Sequence, residues 1–171
     1  MNWDAISAIA ELVGALAIVI SLIYVGIQVN ENSHEVRSAT AQQATSAIAD
    51  WYTSLGNNQQ ASRLFHLGMV NPEELSSEDL AQFIYLGHGL MLEYQAVYYV
   101  AREGTLDKAL QESITKTLVA VAHQPGFLFF WQQRRELFYP EYRAHIDGII
   151  AIGPDPSLSA LQNLYDRSDT W

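Results

Sequence analysis

An apolar stretch from Ile6 to Val29 constrains this chain more than any other feature of its sequence. No charged residue occurs in the stretch after Glu11. A helix needs about 20 mostly apolar residues to cross the hydrocarbon core of a bilayer, and this stretch has that length. We therefore expect residues 1–30 to form a single transmembrane helix, with the lipid bilayer as its partner.

Two other structures are conceivable for this stretch, a cleaved signal peptide and the core helix of a soluble domain. A signal peptide carries basic residues ahead of its apolar core and small residues at its cleavage site. Here Met1–Asp4 contains no Lys or Arg, and the stretch ends in the polar segment Gln28–Asn32. Core helices of soluble proteins seldom stay apolar over such a length. Both alternatives are therefore disfavoured.

Small and polar residues recur along the stretch at alternating steps of three and four. Such spacing keeps one helix face toward a partner helix under a left-handed supercoil. In lipid, small residues let backbones approach and polar side chains bond across the interface. The pattern predicts a homo-oligomer or docking on another membrane protein, and a lone anchor is the alternative. This association stripe consists of Ser7, Ala10, Gly14, Ala17, Ser21, Tyr24 and Gln28.

Glu11 lies beside the association stripe, about one turn inside the apolar segment. A carboxylate in hydrocarbon costs on the order of 3 kcal/mol, and less near the interface. Placement at the interface is the simpler interpretation, because the strongest apolar run begins just after this residue. A proton or ion pathway is the alternative.

The charge of the chain disfavours several classes of partner. Its 171 residues include 9 Lys and Arg against 19 Asp and Glu, which gives a net charge of −10. We expect no nucleic acid partner, because the surfaces that bind nucleic acid are basic. Binding to anionic lipid through a cluster of basic residues is also disfavoured, because the chain is strongly acidic. The chain has no cysteine, which excludes disulfides and thiolate chemistry.

The orientation in the membrane is indicated by one basic residue. Arg37 is the only Lys or Arg near the apolar segment, and it follows that segment. Positive residues prefer the cytoplasmic side of a membrane. We therefore expect a single-pass protein of the cell inner membrane, with the bulk of the chain in the cytoplasm.

The expected fold class is all-α, with the transmembrane helix continuing into a helical bundle domain at residues 31–153. No Pro or Gly interrupts the sequence from Ile27 to Leu55, and apolar residues recur there at helical spacing. A break at Asn30–Ser33 is the alternative to one long helix. Residues 154–171 are expected to be a C-terminal tail, with one short helix as a possibility.

The segment from Leu80 to Val100 is apolar nearly all round, which predicts the buried central helix of the bundle. A second membrane span over 83–101 is the alternative. The aromatic residues around Trp131 either pack in the core or lie at a membrane interface. Capping and breaking signals delimit further helices at 59–69, 78–103, 105–123, 127–138 and from Pro140.

Glu93 is the most informative polar residue of the central helix. On an apolar helix its carboxylate should be buried, and a buried carboxylate must be paired or protonated. We expect a clamp with Arg134 or Arg135 that locks two helices together. The alternative is a polar pocket with a perturbed pKa. The candidate buried polar cluster is His88, Glu93, Tyr94, Tyr98, Arg134 and Arg135.

The sequence contains no signature of a common catalytic or cofactor-binding motif. Its five histidines are isolated, and none has a partner at the spacing of a zinc or di-iron site. We therefore expect no catalytic residue, no metal and no cofactor, and a role in interaction or assembly instead of catalysis. Two alternatives stay open: a ligand-binding or enzymatic bundle that uses the Glu93 pocket, and a small homo-oligomeric ion channel lined by Ser7, Gly14, Ser21 and Gln28.

The chain resembles a widespread family of uncharacterised bacterial proteins that carry an N-terminal membrane-anchor helix and a helical domain. The resemblance implies an anchored helical domain and carries no catalytic residue, because no activity is assigned to the family. In the N-terminal half it rests on residues 8–29 and the following Asn30–Asn32. In the C-terminal half it rests on Glu93, Tyr98, Glu103–Leu106, Pro125, Gly126, Trp131, Arg135, Phe138 and Pro140.

Overall fold

The structure is a computed structural model that describes residues 3–158. Over that range the chain is all-α, as predicted, and contains no strand. Short 3-10 turns occupy Pro72–Glu74, Arg135–Leu137 and Pro156–Leu158. The short helix considered for the C-terminal tail falls mostly outside the described residues. The α-helices are α1 (Trp3–Gly56), α2 (Gln59–Val70), α3 (Ser77–Arg102), α4 (Lys108–Val121), α5 (Pro125–Arg134) and α6 (Pro140–Ile152).

The helices of the C-terminal part begin at local capping signals. The Asn58 side chain accepts a hydrogen bond from the backbone N–H of Ala61 at the start of α2. Ser76 and Asp107 cap α3 and α4 in the same way. These oxygens satisfy backbone donors that the first turn of a helix leaves without an intrahelical partner. Helices α5 and α6 instead begin at a proline, whose fixed φ suits the first helical position.

The chain divides into two compact units, Met1–Ala39 and Thr40–Trp171. The predicted division into an anchor of residues 1–30 and a bundle of residues 31–153 stays a prediction. Residues 31–39 are helical and exposed, and partial burial begins at Thr40. The considered break at Asn30–Ser33 is absent, because α1 runs through it without interruption.

The first unit leaves its apolar side chains uncovered within this chain. Leu16, Ile20 and Ile23 are 54%, 66% and 59% exposed. Among the described residues, α1 is the one helix long and apolar enough to cross a membrane, and none of its most apolar window is buried. A signal sequence would have the same length and composition as this part of α1. The core helix of a soluble protein would be mostly buried, and this part of α1 is not.

The second unit is built around α3, which confirms the predicted central helix. Phe83, Ile84 and Met91 of α3 are buried in the core. Tyr142 and Ile146 of α6 belong to the same core and are 1% and 0% exposed. A second span over 83–101 is not found: within residues 3–158, only α1 meets the length and hydropathy of a membrane span.

Helix α5 contributes three buried aromatic residues to the core. Phe127, Phe130 and Trp131 are buried, which favours core packing over a membrane interface for these side chains. The chain breaks between Val121 and Pro125, as predicted, and Pro125 and Gly126 form the first turn of α5 instead of preceding it. A Cβ added at Gly126 would overlap the backbone of α2 at Gly68, so the two helices cross in direct backbone contact.

This crossing predicts that Gly126→Ala strongly destabilises the second unit. The added methyl has no free space, and the neighbouring atoms belong to backbone that cannot rotate away. We expect the free energy of unfolding to fall by about 2–3 kcal/mol, measured by denaturant titration with tryptophan fluorescence.

The matched control is Gly148→Ala. Gly148 lies on the exposed face of α6, and a Cβ there meets no atom within 4 Å. It should stabilise the helix by up to about 1 kcal/mol, because alanine favours the helical backbone. Equal effects of the two variants would contradict the close crossing.

Candidate functional site

The second unit contains a cavity of about 290 Å³ between the C-terminal end of α1 and helices α2 to α5. Its mouth is formed by Tyr52, Gly56 and Ser62, which are exposed. The walls are mainly apolar and bring together side chains that are distant in the sequence. They include Phe65, Met69, Phe83, Met91, Leu118 and Phe130.

Two tyrosine hydroxyls form the polar end of the cavity. Tyr94 is buried, and its hydroxyl interacts with the hydroxyls of Tyr52 and Thr117. Burial, and then the neighbouring Tyr52, raise the pKa of Tyr94 far above its ordinary value. Burial also raises the pKa of Tyr52, although 46% of this side chain is exposed. The Tyr52 hydroxyl is therefore a group that can donate to an acceptor in the cavity.

Other polar groups on the cavity wall are few. The indole Nε1 of Trp51 donates to the backbone carbonyl of Leu86 at 3.1 Å, so this donor is already used. His66 and Ser62 also line the cavity, and no Asp, Glu, Lys or Arg of the described chain does. The cavity therefore suits an uncharged molecule better than an ion.

The predicted polar cluster does not form one site. Of its six residues only Tyr94 lines the cavity. His88 packs its ring against Phe138 with 5.1 Å between centroids, and burial, then Arg134, lower its pKa. The Tyr98 ring lies against the His145 ring, with 4.8 Å between their centroids.

The expected clamp between Glu93 and an arginine was wrong. Glu93 is half-buried, and the structure records no ion pair or hydrogen bond from it within residues 3–158. Helix α3 is apolar nearly all round, so the hydrophobic pattern does not show which side faces the core. The buried side of α3 is formed by Phe83, Ile84, Met91, Tyr94 and Val97, and Glu93 is not among them.

The clamp uses a carboxylate that the sequence analysis missed. Asp147 of α6 accepts a hydrogen bond from Trp131 Nε1 at 2.8 Å and another from Arg135 Nη2 at 2.6 Å. Trp131 and Arg135 are four residues apart, so a helical pattern presents both on one face. The spacing of Trp131 and Arg135 in the sequence could have indicated that the two side chains share an acceptor, although it does not identify that acceptor as Asp147.

The association stripe lies on a continuous helix, as its spacing requires. Gly14 has open space around it. Two polar members are already hydrogen-bonded within α1: Ser21 Oγ donates to the Ala17 carbonyl at 2.8 Å, and Gln28 donates to the Tyr24 hydroxyl at 3.0 Å. Glu11 is exposed on the same helix. The association stripe therefore offers a partner helix mainly small side chains, because its polar members Ser21 and Gln28 are already hydrogen-bonded within α1.

In residues 3–158, no group of three His, Asp or Glu side chains is placed to hold a metal ion. Comparison with protein-family models, curated proteins and solved structures finds no match to this chain. The resemblance noted from the sequence therefore stays a prediction. The site must be interpreted from its own chemistry.

The Asp147 clamp predicts unequal effects of two carboxylate substitutions. Asp147→Ala removes the acceptor of both Trp131 and Arg135 and should lower the free energy of unfolding by about 1–2 kcal/mol, since the site is partly exposed. Glu93→Gln should change it by less than about 0.5 kcal/mol. Denaturant unfolding measures both, and a larger loss for Glu93→Gln would restore the original clamp.

The buried hydroxyls of Tyr94 and Tyr142 predict incomplete ionisation of tyrosine in the native protein. Burial raises both pKa values. A raised folded-state pKa stabilises the protein below the unfolded value of about 10, and this stabilisation is lost as pH rises above it. Ultraviolet titration of the native chain should therefore show fewer ionised tyrosines than the 9 in the sequence, with the remainder ionising only on alkaline unfolding. Complete ionisation before unfolding would contradict the burial.

Proposed function

We propose that this protein is a single-pass membrane protein that self-associates through α1 and acts as an interaction or assembly module, not as an enzyme. The observation that carries the proposal is the exposure of the apolar residues of the first unit. Such a surface is unfavourable in water and is covered in a bilayer or by other helices.

The association stripe supports contact between copies of α1. Within a bilayer, apolar side chains give little reason for helices to associate, because lipid tails are equally apolar. Close backbone approach at small residues then becomes the main source of attraction. Gly14 and Ala17 provide such a surface on one side of α1, whereas Leu16 and Ile20 provide a bulky surface elsewhere.

The proposed location is the cell inner membrane, with the bundle on the cytoplasmic side. The support for this orientation is the position of Arg37 after the apolar segment. The intrahelical hydrogen bonds of Ser21 and Gln28 leave fewer polar groups to line an ion pathway. No observation in the described chain therefore favours the ion channel considered from the sequence.

The association predicts that Gly14→Leu weakens the oligomer. A leucine on the stripe separates the backbones and should raise the dissociation constant at least about tenfold. Light scattering of the full chain after size-exclusion chromatography in mild detergent measures the mass of the protein component.

Gly26→Leu is the matched control. Gly26 lies in the same helix, is absent from the stripe and also has open space around it. It should leave the oligomer intact. A monomeric native protein, or equal effects of the two substitutions, would refute the proposed interface.

A further inference from the structure

We propose that the cavity of the second unit binds a small, neutral, mainly apolar molecule that carries one hydrogen-bond acceptor, such as a medium-chain ketone or ester. The inference stands on the cavity alone and does not rest on the proposed membrane association. It also differs from the pocket expected at Glu93, because only Tyr94 of the residues predicted there lines this cavity.

The size of the cavity fits a small organic molecule. Its volume of about 290 Å³ lies near the lower end of the range for small-molecule sites. Five helices contribute to its walls, so the chain encloses the space by tertiary packing. The exposed Tyr52, Gly56 and Ser62 at its mouth give a molecule a route of entry from solvent.

The walls of the cavity disfavour the binding of a charged molecule. The carboxylates and cations of the described chain lie outside the lining, and the surrounding phenyl, thioether and aliphatic groups cannot solvate an ion. An apolar cavity of this kind holds water poorly. Transfer of an apolar body from water into it is therefore favourable.

The Tyr52 hydroxyl gives the site a hydrogen-bonding group at its mouth. It lies beside the hydroxyl of the buried Tyr94, and both side chains line the cavity. A tyrosine hydroxyl can donate a hydrogen bond. A carbonyl oxygen of a bound molecule would accept it, while the apolar remainder contacts Phe65, Met91 and Leu118.

Methionine methyl groups make the site directly observable. The chain has 3 methionines, and both Met69 and Met91 line the cavity. The test uses the full chain in lipid nanodiscs with ¹³C-labelled methionine methyls, titrated with 2-octanone and, separately, with octanoate. The methyl group of the third methionine, Met1, serves as the reference.

We expect 2-octanone to shift the Met69 and Met91 resonances saturably, with Met1 unchanged and octanoate without effect. Tyr52→Phe removes one hydrogen bond and should raise the dissociation constant of 2-octanone about 3- to 10-fold. Because Tyr52 lies at the mouth, this variant retains the core.

Filling the cavity provides the second test. Val121→Phe places a ring into the lining of α4 and should raise the dissociation constant more than about tenfold. Val119→Phe, the same change two residues earlier on α4, lies outside this lining and should bind as the native chain does.

Several results would overturn the proposal. They are the absence of a saturable shift, parallel shifts of Met1, equal binding of octanoate, and native affinity in Tyr52→Phe. If the Val121→Phe spectrum shows loss of the native methyl positions, the Tyr52→Phe titration decides the question by itself.

Discussion

The exposed apolar surface of α1 between Ile6 and Val29 sets the conditions under which this protein can exist. Burial of apolar surface is the dominant favourable term in folding, and this segment contributes nothing to it within its own chain. Contact with lipid or with a neighbouring helix would lower its free energy. A helix that satisfies all its backbone hydrogen bonds internally suits both environments. The remainder of the chain can therefore fold around a separate core.

That separate core depends on one aromatic cluster and on the polar groups that orient it. The Trp131 ring packs on Phe138 with 5.5 Å between centroids, and Tyr142 meets both. Asp147 holds the indole N–H and Arg135 together at the edge of this cluster. Large rings fill space between short helices with few rotatable bonds, and the shared carboxylate satisfies a donor that burial would otherwise leave unpaired. The cluster thus joins α5 and α6 without a buried ion pair.

The sequence predicted the helices well because their ends are local. Capping by Ser76, the prolines that open α5 and α6, and the end of α1 at Gly56 depend on neighbours a few residues away. The side of each helix that packs against the core was predicted less well. On α1 beyond Thr40, apolar residues at helical spacing identified the packed side. Helix α3 has no polar face, so its packed side could not be assigned in this way.

The candidate site could not be predicted for a related reason. A cavity is the space left by five helices, and no single segment carries its pattern. Tyr52 and Tyr94 are 42 residues apart by their numbering, and only tertiary structure places their hydroxyls together. Tyr94 was named from the sequence because it lies on the central helix, but as a neighbour of Glu93. The chemistry of the site, a neutral donor in apolar surroundings, follows from the packing and not from any motif.

The crossing of α2 and α5 has a consequence for tracing the ancestry of this chain. Gly126 touches the backbone of Gly68, and a methyl group at Gly68 would overlap the Phe83 ring. A descendant of the same ancestor could replace most surface and core residues by others of similar volume. It would still have to keep both glycines, or separate the helices and rebuild the wall around Phe83. Paired glycines at these two positions are therefore a marker by which remote relatives can be recognised when overall identity has decayed.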